Sequence, residues 1–506
     1  MSNYAEQFSI RRLWVIFGAS MVLMFGTLLY FGGQIYQTKP PIPEAVVTAS
    51  GETVYTRAQI EQGQNVWQSM GGMEQGSIWG HGSYVAPDWS ADWLHREAVA
   101  LLDITARAQG AASYAAMAPP QQALVQALLR QDMRTNTYDP ATGTITVSAP
   151  RAQAIAIVGA HFSDLFEAAS PQSQSLRKQY AMPLRATLTP SEAGALDAFF
   201  FWTSWAAGTN RPGQDITYTS NWPHEPLIGN TPSGAVFMWT FVSIFVLLGA
   251  IGALVWYYAR EFDIWRRNGE PETGFAQSDF MNTVVITPSM RATTKYFVVV
   301  AALFLVQIGL GIVTAHYAVE GQGLYGLPMA EYFPYAVTRT WHTQLAVLWI
   351  ATAWLATGLY VAPLLGGRDP KWQVFGVNFL WGSLLLIVVG SFAGEWMAIN
   401  RLIPDLKVKF WFGHQGYEYV DLGRFWQAYL LVGLLLWVVL VLRGMWPSFK
   451  EKQTRSLLFL VVLSTVSIGL LFGAGLLYGQ HTHYSIIEYW RWWVVHLWVE
   501  GVFEVF

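Results

Sequence analysis

The sequence predicts an all-α, polytopic membrane protein: an anchor helix, a globular helical domain outside the membrane, and a bundle of membrane-spanning helices. Three observations carry that expectation. Charged residues make up 12% of the 506 residues and hydrophobic ones 53%, a balance typical of polytopic membrane proteins. Apolar runs long enough to cross a bilayer recur through the second half of the chain. Cysteine is absent, which excludes disulfides, iron–sulfur clusters, thiolate zinc sites and covalently attached c-type haem. Any redox metal must then be held by histidine, carboxylate or backbone oxygen. The net charge of −3 says nothing about partners, and no nucleic-acid partner is expected.

The first apolar run is 13–33, preceded by Arg11 and Arg12. Its core is too long for a secretory signal and lacks a small-residue cleavage site, so 1–37 reads as an uncleaved transmembrane anchor. The positive-inside rule puts its N-terminus in the cytoplasm. Pro40, Pro41 and Pro43 open the next region, 38–230, which has no convincing span. Helical periodicity recurs there near 57–70, 90–109, 120–133, 150–178 and 190–206, with a hairpin around 138–144. This predicts one mostly helical extracytoplasmic domain. Its histidines, His81, His95, His161 and His224, lack metal-like spacing and read as surface or core residues.

Spans follow at about 234–258, 293–316, 338–365, 373–394, 424–443 and 456–478, with a last one from 490, making 231–506 a transmembrane bundle. Arg260, Arg266, Arg267 and Arg291, then Arg368 and Lys371, then Arg443, Lys450, Lys452 and Arg455 all fall on the cytoplasmic side of that topology. The 395–423 loop, with Arg401, Lys407 and Lys409, departs from the rule.

Four constellations carry chemistry. In Arg339-Thr-Trp-His342-Thr-Gln-Leu, a neutral imidazole facing the bundle interior makes a good axial haem ligand, with Arg339 placed to pair a haem propionate. The same histidine could instead hydrogen-bond a neighbouring helix. In the last span, His496, Glu500 and Glu504 are spaced four and four apart, which on an α-helix stacks them roughly 6 Å apart on one face. Carboxylates there are costly and point to function. A mixed His/carboxylate set suits iron or zinc and argues against copper(I). A metal-free polar cluster or a transporter's proton relay would use the same stripe. His316 and Glu320, again four apart at the outer membrane edge, read as proton acceptors for a lipid-soluble donor or as a helix-terminal ion pair. The loop Phe412–Arg424 gathers Glu418, Asp421 and Arg424, as hard oxygen ligands for Ca²⁺ or as a solvated loop.

Together these stretches resemble the single-chain, quinol-dependent nitric oxide reductases, a branch of the haem–copper oxidase superfamily. The resemblance extends to Gly80-His-Gly-Ser-Tyr-Val-Ala-Pro-Asp-Trp, Arg211-Pro-Gly-Gln-Asp and Asn221-Trp-Pro-His-Glu-Pro-Leu-Ile-Gly-Asn. It implies a haem–copper oxidase-like bundle and an outer domain with a cytochrome c-like fold lacking haem c. Its most specific part is the His496/Glu500/Glu504 triple, where superfamily oxidases carry a tyrosine one turn after the corresponding histidine.

The resemblance implies that His342 is an axial ligand of low-spin haem b. It makes His496 and Glu500 ligands of a non-haem iron beside haem b3, with Glu504 as a proton-handling carboxylate. Glu418, with backbone oxygens near Gly82 and Tyr84, would hold calcium. His316 and Glu320 would form the quinol site. Two NO would be reduced to N2O and water, in a bacterial inner membrane, with quinol, NO and the lipid bilayer as partners and a homodimer allowed. The family also supplies adjacent histidines to the iron and two near-adjacent ones to the haems from later helices. No His-His pair occurs here and no histidine follows His496. The expectation is therefore a C-terminally truncated chain, inactive alone. The rival expectations are a quinol oxygen reductase of the same superfamily and a haem-free proton-coupled transporter.

Overall fold

The structure, a computed structural model, describes residues 2–267, 279, 282–452 and 455–504, with the side chains of 10–260, 279, 282–452 and 455–502. The side chains of Arg266, Arg267 and Glu504, all named above, lie outside the described residues. As expected, the fold is helical and polytopic. Among the described residues, seven helical segments are long and apolar enough to cross a membrane: 10–38, 234–260, 288–320, 335–366, 373–399, 424–450 and 455–476.

The first helix, α1 (Ser2–Thr38), leads into the globular domain expected outside the cytoplasm, called the outer domain below. That domain is built from β1 (Ala45–Thr48), β2 (Thr53–Thr56), α2 (Arg57–Ser69), α3 (Trp89–Ala108), α4 (Pro119–Arg134), β3 (Tyr138–Asp139), β4 (Thr144–Val147), α5 (Ala149–Glu167), α6 (Pro171–Gln179) and α7 (Pro190–Gly208). Helix starts follow local chemistry. Thr56, Asp88, Ser148, Ser170 and Thr189 each accept an N–H of the first turn, and α5, α6 and α7 carry proline at their first positions. The same rule corrects the single helix expected over 150–178. Ala168 adopts the left-handed conformation (φ 56°), and Ser170-Pro171 starts a second helix.

The hairpin expected near 138–144 pairs β3 with β4. It joins a small sheet of order β2-β1-β4-β3, in which β1 runs parallel to β4 and the other pairs are antiparallel. Helix α7 is buried on every side from Ala195 onward and sits at the centre, packed by α2, α3 and α5. Trp93 stacks on Phe162 at 5.3 Å between ring centroids, and Trp89 on Phe200 at 5.5 Å.

Within α7, burial pushes the Asp197 carboxyl up to about 7, against a bond from Ser163 that favours ionisation. A carboxyl whose folded pKa is raised stabilises the fold below its unfolded pKa near 4, and that contribution disappears as pH rises to about 7. Asp197→Asn is therefore expected to match the parent near pH 4 and to unfold several degrees higher at pH 8. Equal thermal midpoints at both pH values would contradict this.

The bundle comprises α8 (Gly234–Arg267), α9 (Pro288–Ala292), α10 (Thr294–Glu320), α11 (Tyr335–Gly366), α12 (Gln373–Ile399), α13 (Leu406–Phe412), α14 (Arg424–Met445), α15 (Arg455–Phe472) and α16 (Tyr484–Trp492). Helix α11 lies innermost, packed by α10, α12 and α14. Outer domain and bundle share one core: Trp67 meets Tyr417 and Tyr484, and Gln64 and Gln68 both donate to the Tyr417 hydroxyl.

A tight seam between outer domain and bundle is at Gly72, where φ is +47° and an added Cβ would fall 2.2 Å from the Gly416 carbonyl oxygen. Beside it, Met73 N–H donates to that same carbonyl at 2.9 Å. A side chain at 72 must both adopt a strained backbone and part the seam, so Gly72→Ala is expected to destabilise by about 2 kcal/mol or more. An unchanged thermal midpoint would refute that.

Candidate functional site

His342 lies two turns into α11, half-buried against α10. Its Nδ1 is 2.9 Å from the Gln307 carbonyl oxygen. A carbonyl only accepts, so Nδ1 carries the hydrogen, and Nε2 keeps a lone pair. Gly311, one turn beyond Gln307, makes room for the ring: a Cβ there would come within 2.8 Å of Cε1. The hydrogen bond to a neighbouring helix, the alternative to ligation in the sequence, is thus the orientation a ligating imidazole needs. The residues present fit an axial ligand.

Arg339, one turn earlier, opens a buried polar cluster. Its Nε lies 2.9 Å from Glu74 Oε2, and Nη2 donates to Glu418. The guanidinium expected to meet a propionate therefore meets two protein carboxylates. Glu74, Glu395 and Asp421 are fully buried around it. Burial, then the nearby Asp421 and Glu418, holds the Glu74 carboxyl well above the ordinary range, with Arg339 opposing. Burial, then Glu395, raises Asp421, against a bond from Gln344. His414 is equally enclosed. Its Nδ1 accepts from Gly416 N–H and its Nε2 faces Thr340 Oγ1 at 2.8 Å, while burial lowers its pKa to about 3 and keeps it neutral.

Carboxyl groups outnumber cations here. Apart from the ion contact of Glu74 with Arg339, the oxygens of Glu74 and Glu395 and one of Asp421 lack a hydrogen-bond partner among the described residues. That deficit fits either bound protons or a hard cation. Of the expected calcium residues, Glu418 faces Arg339. The Gly82 loop is stitched to the same seam by Ser83 N–H donating to the Met73 carbonyl at 2.7 Å. The Tyr84 side chain is exposed and donates to Gly80. Among the described residues, no three His, Cys, Asp or Glu converge in a metal-binding group.

The last segment departs from the expected α-helix. From Trp493 to Glu504 it is π-helical, wound with i→i+5 bonds, a form that concentrates at functional sites. A π turn is wider, so residues four apart drift sideways instead of stacking straight. His496 and Glu500 still meet, Nδ1 to Oε2 at 2.5 Å, and the Trp492 ring stacks on the imidazole at 4.2 Å. The pair is not enclosed as expected: the two side chains are 56% and 47% exposed. At the C-terminal end of α10, His316 Nε2 lies 3.0 Å from Glu320 Oε2 and the His316 ring packs against Tyr325. Glu320 borders a cavity of about 500 Å³ shared with Lys178, Gln179 and Leu184.

Reasoning from sequence missed Glu395, whose signal was present. It sits one residue past the expected end of its span, and a carboxylate inside α12 is itself a marker of function. It also missed the buried Glu488–Arg491 pair, which His81 joins from the outer domain. Glu74 was beyond reach, because it lies in a loop whose burial only the bundle creates.

Residues 43–224 match the family model of the NorB cytochrome c-like domain of nitric oxide reductase, and 291–506 match that of "Cytochrome C and Quinol oxidase polypeptide I". The NorB chain of the nitric oxide reductase of Stutzerimonas stutzeri is 23% identical over 225 residues, which is 43% of this chain and 43% of that protein. The match thus spans less than half of that relative's length.

Proposed function

The chain belongs to the haem–copper oxidase superfamily and carries the outer domain of its nitric oxide reductases, and from that premise we propose that it forms the catalytic core of a quinol-dependent nitric oxide reductase. In that reading two NO, two electrons and two protons yield N2O and water. The observation that carries it is the His496–Glu500 pair, a nitrogen and a carboxylate oxygen 2.5 Å apart, where the superfamily's oxygen reductases have a tyrosine instead.

Each residue's part follows from its chemistry. His342, its tautomer fixed by the Gln307 carbonyl, presents Nε2 to hold haem b. His496, steadied by the Trp492 ring, and Glu500 would hold the non-haem iron beside haem b3. A carboxylate ligand makes that position hard and oxygen-seeking, and Glu504 next to it would move protons. Glu418, with carbonyl oxygens near Gly82 and Tyr84, would hold calcium beside the Arg339 guanidinium. When bound, the haems and iron supply the electron relay and the reducible pair. His316 and Glu320 take up the two protons that a hydroquinone releases as its two electrons pass to the relay, and the absence of cysteine for a covalent outer haem favours direct entry from quinol.

The decisive experiment measures NO and O2 consumption by the assembled enzyme, with metal analysis. Quinol-driven NO consumption with iron and no copper is expected; copper with O2 reduction and no NO consumption would overturn the reading. Glu320→Ala should lower quinol-driven turnover about tenfold or more, as loss of a positioned proton acceptor does, while leaving turnover with an artificial donor near its parent value. Equal losses with both donors would count against a quinol site there.

A further inference from the structure

Two adjoining cavities lie at the C-terminal end of α1, and none of the residues discussed above as a ligand or quinol contact lines either of them. The larger, about 830 Å³, is bordered by three cationic side chains, Lys39, Arg134 and Arg211, and by Asn136, Asp215 and Tyr218. The other, about 520 Å³, is a groove between α1 and α16 walled by Leu28, Phe31, Ile35, Tyr489 and Trp492. Thr38, Lys39, Arg211 and Tyr218 border both, so the cationic chamber opens directly into the slot between the two helices.

The charges in the chamber are unbalanced. Lys39 Nζ donates to the Tyr36 carbonyl, and Arg211 is held by the Thr217 and Tyr218 carbonyls and lies over the Tyr218 ring. Neither has a carboxylate at ion-pair distance among the described residues. Arg134 meets the amide oxygens of Asn221 and Asn230, and its carboxylate neighbour, Asp215 at 3.5 Å, is 96% exposed and also bonds Asn210. Glu488, at the edge of the groove, is already matched by Arg491 and His81. Arg211 is half-buried, and two of its five N–H donors are used by those carbonyls. Half-burying a cation without a counter-ion is unfavourable unless an anion completes it.

We infer that this pair of cavities binds one anionic phospholipid, its phosphate among Lys39, Arg211 and Arg134 and an acyl chain in the slot between α1 and α16. The geometry favours a lipid over a compact ring. Leu28 to Ile35 is two helical turns, about 10 Å of apolar wall, and it runs from the membrane directly to the cationic chamber. Such a lipid would also seal α1 to the bundle, complementing Tyr489, which donates to the Leu28 carbonyl and packs against Gly32.

Native mass spectrometry of the delipidated full chain in detergent tests this, titrating phosphatidylglycerol, phosphatidylcholine of the same acyl chains, and inorganic phosphate. One phosphatidylglycerol should be retained in clear preference to phosphatidylcholine, and inorganic phosphate at millimolar concentration should not displace it. Lys39→Gln and Arg211→Gln should each weaken retention about fivefold, and Ile35→Trp, which fills the slot, should weaken it too. Lys39 is partly exposed, so its variant remains informative should Arg211→Gln fold poorly. Equal retention of the two lipids, displacement by phosphate, or an unchanged Lys39→Gln titration would overturn the proposal.

Discussion

In the assembled holoenzyme, His342→Ala is expected to abolish the reduced-minus-oxidised absorbance of low-spin haem b and to lower turnover by more than a hundredfold. The reasoning starts from one hydrogen bond. With Nδ1–H committed to the Gln307 carbonyl at 2.9 Å, the ring cannot rotate away without forfeiting that hydrogen bond, so Nε2 is held ready as a lone-pair donor. Partners that orient a ligand are worth about 10–100-fold each, and the ligand itself is worth more. Were His342 only a structural tether between α10 and α11, its loss would cost about 1 kcal/mol, the net worth of one hydrogen bond, and the spectrum would survive. An unchanged reduced spectrum with a slightly lower unfolding midpoint would thus decide for the tether. Gly311→Val adds an independent check, since its side chain would press on the His342 ring, where even a Cβ falls 2.8 Å from Cε1. It should shift or broaden the same absorbance without removing a hydrogen-bonding group.

Local rules made most of the fold legible. Membrane helices announce themselves by length and apolarity, and the outer-domain helices by Ser, Thr or Asp caps, joined in α5, α6 and α7 by proline in the first turn. The misses have a common cause. Glu395 was excluded because a hydropathy window ends where a charge begins, although burial of that charge in α12 is what makes it notable. Glu74 and Asp421 lie on loops 347 positions apart and become a cluster only when the Gly72–Gly416 seam closes. The π winding after Trp493 has no signature in side-chain periodicity, because four-residue spacing brings His496 and Glu500 together in either helix form. The candidate residues were therefore visible as local pairs, whereas the buried field around Arg339 is a product of long-range packing.

The His496–Glu500 pair gives the other large expected effect. Glu500→Ala should strip the non-haem iron, lowering the iron-to-haem ratio, and reduce NO turnover by about a hundredfold or more, because a metal centre supplies several kcal/mol of charge stabilisation and each 1.36 kcal/mol is tenfold in rate. The bare imidazole left behind is a single ligand on a half-exposed face, too little to retain iron. Haem b should be unaffected, since His342 sits on a different helix with its own second contact. Glu500→Gln separates the two roles that the 2.5 Å contact permits. The amide keeps the size and can still hydrogen-bond His496, so a carboxylate that merely orients the imidazole would be replaced with little loss. A carboxylate that ligates iron would not, because the neutral amide oxygen cannot balance the metal's charge. Loss of iron in both variants with haem b intact assigns the ligand. Normal iron and rate in Glu500→Ala would instead make the pair an ordinary surface contact and return the family's metal position to other residues.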